Sequence, residues 1–418
     1  MAATGVFEDD IGEGAADVGG EACAGFRAAT GHASNILQRI MNLRAKSAAF
    51  VPVPRGWLYF DANSVGAMPA SAPKRVAKLL EEWRTLRRRG WTASDWMDAP
   101  ARLGDKLAPV LGAKRGTVAV GDSTSVNLHK ALSLALQLRP ARKTIVVEGA
   151  MFPTDLYVAE GIARAHRLKV VRVDDAAALA KAVDRKTAAV LLSHTDYRTG
   201  ARHDIVATTR LIHARGALAV WDLSHSAGAV PTDLERANAD FAVGCGYKYL
   251  CGGPGSPGYL YVAPRWQAKV RPAIQGWFGH ADPMNFPPDF VPARGVQRHV
   301  VGTPAVTGNV LFEAAIDVFA REDLRKLFSR QEALTSLLIE LAPPQLQLVS
   351  PRDPARRGGF VAFRIPGAKK FVAALERRKV VASYRPPDIL RFGFSPLYHR
   401  EADVREVARR LRALVKRR

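Results

Sequence analysis

The sequence predicts an α/β protein with a large domain built on a mainly parallel β-sheet wrapped by helices, followed by a smaller α+β C-terminal domain. Between Thr117 and Tyr261, short β-branched runs alternate with amphipathic helices, which is typical of a parallel sheet with helices on its faces. Beyond Thr307 the order changes to helices mixed with strands. The chain has 418 residues, 48% of them hydrophobic, so it can bury one large core and a smaller second one.

Three segments precede the predicted sheet. Residues 1–45 are rich in Gly and Ala and lack a sustained hydrophobic period, so we predict a disordered or accessory extension. Residues 58–61 form a short predicted strand, which runs into the turn Asn63-Ser64-Val65-Gly66. A helical pattern follows over residues 71–89.

The predicted large domain covers residues 46–306, and we expect its N-terminal arm to contribute to the small domain and to the active site. Its predicted strands are residues 117–120, 144–147, 170–173, 188–193, 217–222 and 241–244. Helical stretches between them include residues 126–138, 155–166 and 208–214, the last of which is closed by Gly216.

The predicted small domain covers residues 307–418. We expect one helix over residues 310–341, a strand over 360–364, a helix over 369–378, two strands near Val381 and Leu390, and a terminal helix.

Net charge, apolar runs and cysteine content narrow the classes of protein to which the chain could belong. The formal net charge is +22, but the basic residues are spread along the chain with few aromatics among them, which favours a solvated surface over a nucleic-acid site. No apolar run approaches the roughly 18 residues of a membrane span, and no basic-then-apolar signal opens the chain, so we expect a cytoplasmic protein. The three cysteines suit a reducing compartment, and none has the spacing of a metal ligand.

Polar groups follow the predicted strands at their carboxyl ends, where open parallel sheets bind ligands. After Val120 comes Gly121-Asp122-Ser123-Thr124-Ser125 and then a helix. Small hydroxyl residues with unpaired backbone N–H groups at a helix N-terminus can hold a phosphate, although Ser and Thr are also ordinary N-caps.

Two further strand ends carry residues that suit an aldehyde cofactor. Asp222 follows an apolar run and could pair with a protonated pyridine nitrogen, with His225 against the ring; a helix cap and a satisfied core histidine are the alternative. Lys248 lies between Tyr247 and Tyr249, before a glycine-rich turn, where partial desolvation would make its amine nucleophilic. A surface lysine is the alternative there.

The order of these three signals is that of pyridoxal 5'-phosphate (PLP) enzymes of the aspartate aminotransferase fold type (fold type I): phosphate cup, ring-nitrogen aspartate, then lysine. Beyond the fold type, the chain closely resembles the kynureninase family over nearly all of residues 56–398. The matching stretches are Phe-Asp-Ala-Asn-Ser-Val-Gly (60–66), Phe-Pro-Thr-Asp-Leu-Tyr (152–157), Trp-Asp-Leu-Ser-His-Ser-Ala-Gly-Ala-Val-Pro (221–231), Tyr-Lys-Tyr-Leu (247–250), Gly-Gly-Pro-Gly-Ser (252–256), Gly-Trp-Phe-Gly-His (276–280) and Arg-Phe-Gly-Phe-Ser-Pro-Leu-Tyr (391–398).

The resemblance implies roles for the matching residues. The implied cofactor-binding set is Thr124 and Ser125 for the phosphate, Phe152 and Asp155 beside the ring, Asp222 with His225 at the pyridine and its substituents, Ser193, Tyr247, and Lys248 as the covalent attachment point. Lys248, Tyr247 and Asp222 are the implied catalytic residues. Arg391 matches the arginine that binds the substrate α-carboxylate, with a structural salt bridge as the alternative, and Asn63, Ser64 and His280 line the substrate side. Trp277 and Thr303 match positions that reach the phosphate from a second subunit, which implies a homodimer.

The implied reaction is hydrolysis of the Cβ–Cγ bond of L-kynurenine, and possible use of 3-hydroxykynurenine is left open. Two alternatives remain beside it. Another PLP enzyme of the same class, such as an aminotransferase, desulfurase or epimerase, would share the scaffold, but a desulfurase needs a mobile cysteine in the small domain and the chain has none after Cys251. A basic nucleic-acid-associated protein on an inactive PLP fold would have no need for Asp222, His225, Lys248 and Arg391 together.

Overall fold

The computed structural model describes residues 47–416, so the predicted extension over residues 1–45 lies outside the described part of the chain. The strands of the described part are β1 (Leu58–Tyr59), β2 (Val118–Val120), β3 (Thr144–Glu148), β4 (Lys169–Val173), β5 (Thr187–Ser193), β6 (Leu218–Asp222), β7 (Phe241–Cys245), β8 (Gly258–Val262), β9 (Gln347–Leu348), β10 (Phe360–Arg364), β11 (Val380–Val381), β12 (Ser383–Arg385) and β13 (Ile389–Gly393). The helices are α1 (Ala72–Leu86), α2 (Gly90–Ala93), α3 (Ala99–Leu107), α4 (Thr124–Leu138), α5 (Pro153–His166), α6 (Ala176–Ala182), α7 (Ile205–Ala214), α8 (Pro264–Gln267), α9 (Val306–Phe319), α10 (Leu324–Leu341), α11 (Ala368–Glu376) and α12 (Glu401–Val415).

A mostly parallel sheet with the strand order β2-β8-β7-β6-β5-β3-β4 forms the centre of the fold. All six strands predicted from the β-branched runs are present, each within one residue of the predicted bounds. Sequence analysis missed β8, which is antiparallel to both of its neighbours, β2 and β7. The predicted α/β fold class is confirmed.

The central sheet is buried on both faces, as a parallel sheet requires. Successive residues of β5 point to opposite sides: Val190 and Leu192 join one apolar cluster, whereas Ala189 and Leu191 join the other. Helix α4 covers the second cluster with Leu128 and its neighbours. This packing fixes the carboxyl ends of β5, β6 and β7 at one edge, where the candidate site lies.

A second sheet, antiparallel and ordered β12-β13-β10-β9, lies in the C-terminal part of the chain. Its apolar core is separate and includes Phe363, Phe371 and Phe392. The N-terminal arm joins this core, because Phe60 packs within it and β1 pairs in parallel with β11. The domain boundary after residue 306 stays a prediction.

The single helix predicted over residues 310–341 is wrong: the structure has two helices, α9 and α10, with a break at residues 320–323. The side chain of Asp323 accepts hydrogen bonds from the backbone N–H groups of Arg325 and Lys326 at 3.1 and 3.3 Å. Asp323 therefore caps the start of a new helix, which the continuous hydrophobic pattern did not reveal.

Within residues 47–416, no helix combines the length and the apolar character that a membrane crossing requires.

Candidate active site

A cavity of about 590 Å³ opens at the carboxyl ends of the central strands. Ten of the predicted site residues line it together: Asn63, Ser64, Thr124, Ser125, Phe152, Asp155, Asp222, His225, Tyr247 and Lys248. These residues come from the N-terminal arm, the starts of α4 and α5, and the segments after β6 and β7. Their convergence follows from the sheet topology, which brings distant strand ends to one edge.

The start of α4 forms one wall of the cavity and is shaped for an anion. Ser123 is the N-cap, and its hydroxyl accepts from the N–H of Val126 at 3.3 Å, while Thr124 and Ser125 open the helix. Gly258 on the adjacent strand packs against this turn: an added Cβ would lie 3.0 Å from the backbone N of Thr124. A side chain here would occupy the space that a phosphate at the helix N-terminus needs.

Lys248 lines the cavity, and its amine has no ionic partner in the part of the chain that the structure describes. Its Nζ lies 3.5 Å from Nε2 of His225 and 6.0 Å from the ring centroid of Phe152. Within residues 47–416, no carboxylate oxygen lies within salt-bridge distance of this nitrogen. The surface-lysine alternative does not fit this position, because Lys248 is half-buried and faces Tyr247 and Phe152.

His225 carries a neutral imidazole in this environment. Its pKa is well below the ordinary value, first because it is buried and then because Lys248, Arg391 and Arg385 are positively charged neighbours. A neutral ring beside the lysine can lie against an aromatic cofactor without adding charge.

Two carboxyl groups, Asp155 and Asp222, face each other at the bottom of the cavity. Asp222 ends β6, and its Oδ1 accepts from the backbone N and the hydroxyl of Ser224 at 2.9 and 2.6 Å. Asp155 lies in the first turn of α5, 3% exposed, and its Oδ2 has no hydrogen-bond partner in the described part of the chain. Burial, followed by the charge of Asp222, raises the pKa of Asp155 well above its ordinary value. Within residues 47–416, the pair therefore has no cationic N–H donor between its oxygens.

Arg391 is fully buried just behind the cavity wall. Its Nη1 donates to the carbonyl of Tyr197, and its Nε and Nη2 donate to the hydroxyl of Ser383 at 3.3 and 3.1 Å. With its amide oxygen turned toward Arg391, Asn63 accepts from the same two nitrogens and donates to Asp61 at 3.2 Å. No salt bridge to Arg391 forms within residues 47–416, so the structural-salt-bridge alternative lacks a carboxylate.

Arg385 is a site residue that sequence reasoning missed. It lines the cavity on β12, six residues before Arg391, while its guanidinium donates to the carbonyl of Tyr384 at 2.8 Å. Burial, followed by the charge of Arg385, lowers the pKa of Arg391 to about 9. The signal that could have revealed Arg385 is the alternation of residues in β12 and β13. The register of the two strands places Ser383 opposite Arg391, and Arg385 ends the strand that contains Ser383.

Besides Arg391, four predicted site residues do not line the cavity of the single chain. Ser193 ends β5 and pairs in register with Asp222 of β6, so it supports the strand that carries this carboxylate. Trp277 and Thr303 lie on the surface, Trp277 with 37% exposure. His280 is buried within its own loop, where its Nδ1 accepts from the N–H of Asp282 at 2.8 Å.

Comparison with known proteins defines the family. A family model described as the kynureninase C-terminal domain matches residues 327–411. The kynureninase of Pseudomonas fluorescens is 45% identical over 360 residues, which cover 83% of this chain and 86% of that protein. The kynureninase of Deinococcus radiodurans is 46% identical over 373 residues, 87% of this chain and 90% of that protein. The chain belongs to the kynureninase family.

Solved structures of proteins with other names also share this fold. A mutant of the cystine C–S lyase C-DES, with glycine covalently linked to its PLP cofactor, has a TM-score of 0.76 at 19% identity and covers 85% of this chain and 96% of its own. The apo cysteine desulfurase of Thermococcus onnurineus has a TM-score of 0.76 at 20% identity over 90% of this chain and 99% of its own. At such low identity the likeness shows the shared fold, whereas the kynureninase relatives show the family.

Proposed function

We propose that this chain is a PLP-dependent kynureninase that hydrolyses the Cβ–Cγ bond of L-kynurenine to anthranilate and L-alanine. One observation carries the proposal: the unpaired amine of Lys248, the carboxyl pair Asp155 and Asp222, and the helix start at Thr124 line a single cavity. Family membership supports the choice of substrate among PLP reactions.

The residues of the cavity fit PLP at three points. Lys248 supplies an amine to attach the aldehyde, and the N–H groups at Thr124 and Ser125 suit the phosphate. The carboxyl pair lacks the N–H donor that a protonated pyridine nitrogen brings, which also explains the unpartnered oxygen of Asp155. When bound there, PLP supplies an electron sink for charge that develops on the substrate.

Lys248 is the group placed to move a proton at the substrate Cα. The neutral His225, 3.5 Å away, does not compete for that proton, because burial holds its pKa well below neutrality. The phenol of Tyr247 is its neighbour in the cavity, and burial raises the pKa of Tyr247, so this phenol stays protonated as a donor.

Arg391 and Arg385 form the anion-binding end of the cavity. Two guanidinium groups and one nearby carboxylate, Asp61, leave an excess of positive charge that the substrate α-carboxylate would neutralise. Asn63 connects Arg391 to Asp61, and Ser64 donates to Asp61 at 2.8 Å, so these two residues hold the arrangement.

A homodimer completes the proposal. Trp277 and Thr303 are exposed and lie outside the cavity of their own chain, as residues that serve a partner's site would be. The ring centroids of Trp277 and Phe286 lie 5.8 Å apart, Phe286 is 68% exposed, and Val291 in the same segment is 54% exposed. A second copy would cover these apolar side chains. His280 is placed in the same segment, and we assign it to the substrate side of the shared site. We also place the enzyme in the cytoplasm.

Among the competing PLP activities, a desulfurase lacks a matching group in the described part of the chain. Cys245 and Cys251 are both buried, and neither lies in the small-domain region where a desulfurase keeps its mobile cysteine. An aminotransferase would have the same kind of cavity, so only the reaction that the protein catalyses distinguishes it from a kynureninase.

The deciding experiment follows anthranilate fluorescence from L-kynurenine, beside 3-hydroxykynurenine and beside kynurenine with a keto acid. The proposal expects anthranilate and alanine in equal amounts without a keto acid. Turnover that requires the keto acid would instead identify an aminotransferase, and turnover of neither substrate by PLP-loaded protein would reject the assignment.

A further inference from the structure

Lys130 is a buried lysine outside the described catalytic set, one turn and a half into α4. Its side chain is 3% exposed, and its Nζ lies 2.5 Å from Oδ2 of Asp122. The same nitrogen donates to the backbone carbonyl of His299 at 2.8 Å. An ammonium buried this deeply needs a charged partner, and Asp122 is that partner.

Asp122 lies in the turn that leads to the phosphate cup. It lines the cavity beside Ser123, Thr124 and Ser125, and its φ of +54° is in the left-handed region. The backbone carbonyl of Asp122 accepts from the N–H of Gly258 at 2.7 Å, which joins the turn to β8. A carboxylate in this turn lies where an uncompensated negative charge would repel a phosphate.

No other cation pairs with this carboxylate within residues 47–416. The facing segment contributes His299, whose ring nitrogens have no hydrogen-bond partner in the described chain. Burial, followed by the charge of Lys130, lowers the pKa of His299 to about 3, so its imidazole is neutral. The compensation of Asp122 therefore depends on Lys130.

We propose that Lys130 is a positioning residue that neutralises Asp122 and thereby allows the turn at residues 121–125 to accept a doubly charged phosphate. Its second bond, to the carbonyl of His299, anchors the turn to the segment that leads on to Thr303. The proposal rests on the proposed function, because it assumes that the turn binds the phosphate of PLP.

The test compares PLP with pyridoxal, which lacks the phosphate, in titrations of apo-protein followed by absorbance. The measured quantity is the ratio of the two dissociation constants, because a general loss of structure changes both constants and leaves their ratio unchanged. The variants are Lys130→Met, Asp122→Asn and the double variant, with thermal melting and circular dichroism to verify folding. Asn suits position 122, since it tolerates the left-handed region.

We expect Lys130→Met to lower the preference for PLP by about tenfold or more, because the carboxylate of Asp122 is left uncompensated. Asp122→Asn should not lower the preference, and the double variant should restore it to within about threefold of wild type. If Lys130→Met does not fold, the double variant and Asp122→Asn still carry the comparison, since neither leaves an isolated carboxylate.

If Lys130→Met weakens the binding of PLP and of pyridoxal equally, the lysine is purely structural and the proposal is overturned. The same conclusion follows if the double variant prefers PLP no more than Lys130→Met does. A lowered preference in Asp122→Asn would also overturn it, because that variant keeps the cation. Wild-type protein that binds neither ligand would overturn the proposed function itself, a result distinct from all of these.

Discussion

Arg385 faces the cavity beside the buried Arg391, and its positive charge contributes, after burial, to lowering the pKa of the Arg391 guanidinium to about 9. Each nitrogen of Arg391 already donates to a protein acceptor, at Tyr197 or Ser383. Arg385 has only the carbonyl of Tyr384 as a hydrogen-bond partner in the described chain. The two arginines are therefore unequal: Arg391 is the fixed member, and Arg385 has donors to spare for a ligand.

Substitution of either arginine should affect the substrate more than the cofactor. Arg391→Lys should raise KM for kynurenine by about 10- to 100-fold, because lysine loses the guanidinium bonds to Tyr197 and Ser383 that hold the anion-binding end, and hydrogen bonds of a charged group contribute about 1.5 to 3 kcal/mol. Arg385→Gln should raise KM by about tenfold, and both variants should bind PLP nearly as wild type does. Steady-state kinetics and PLP titration measure the two effects.

Arg364→Lys is a matched control for these arginine variants, because Arg364 pairs with Asp388 on the exposed side of β10. Its KM should stay at the wild-type value. PLP affinity that falls more than substrate affinity in Arg391→Lys would contradict the assignment to the substrate carboxylate.

Lys248→Gln should abolish both turnover and the absorption band of lysine-bound PLP. The change keeps the length of the side chain close to that of lysine but removes the amine that attaches the cofactor. An absorbance spectrum of purified protein, before and after addition of PLP, measures the first effect. An unchanged band in the variant would place the attachment elsewhere.

The sequence predicted the parts of the site that follow from strand ends, and it failed where the relevant signal is spatial. Asp222 and Lys248 each follow an apolar run, so their convergence was predictable from a parallel sheet. Arg385 has no such position, because its place in the cavity depends on the antiparallel pairing of β12 with β13. Asp122 and Lys130 are close in sequence, in the turn before α4 and within α4, but the importance of their pairing appears only when burial is known.

The stability of the apo-protein should depend on pH through Asp155. Its folded pKa is well above the ordinary value of 3.8, so the folded state holds a proton that the unfolded state releases. Stability therefore falls as pH rises from about 4 to the folded pKa, and Asp155→Asn should remove that loss. We expect the variant to be more stable than wild type by about 1 kcal/mol or more at neutral pH, with a smaller difference near pH 5. Urea unfolding of apo-protein at several pH values measures this difference in unfolding free energy.

The exposed Asp174 provides the control, since Asp174→Asn should show no such pH-dependent difference. If the difference in unfolding free energy between Asp155→Asn and wild type does not change with pH, then Asp155 is ionised in the folded apo-protein.

Subunit complementation tests whether Trp277 serves the site of a second subunit. Lys248→Ala and Trp277→Ala chains with different tags are co-expressed, and the mixed dimer is purified. If each site combines Lys248 of one chain with Trp277 of its partner, the mixed dimer has one intact site and about half the wild-type activity, although each parent dimer has little. Lys248→Ala mixed with Arg391→Ala is the matched control, because in the described chain Arg391 lies just behind the wall of the cavity that Lys248 lines. In that mixed dimer one site lacks Lys248 and the other lacks Arg391, so it should stay inactive. Activity in the control but not in the test pair would mean that Trp277 acts within its own chain and that the arginine crosses the interface instead.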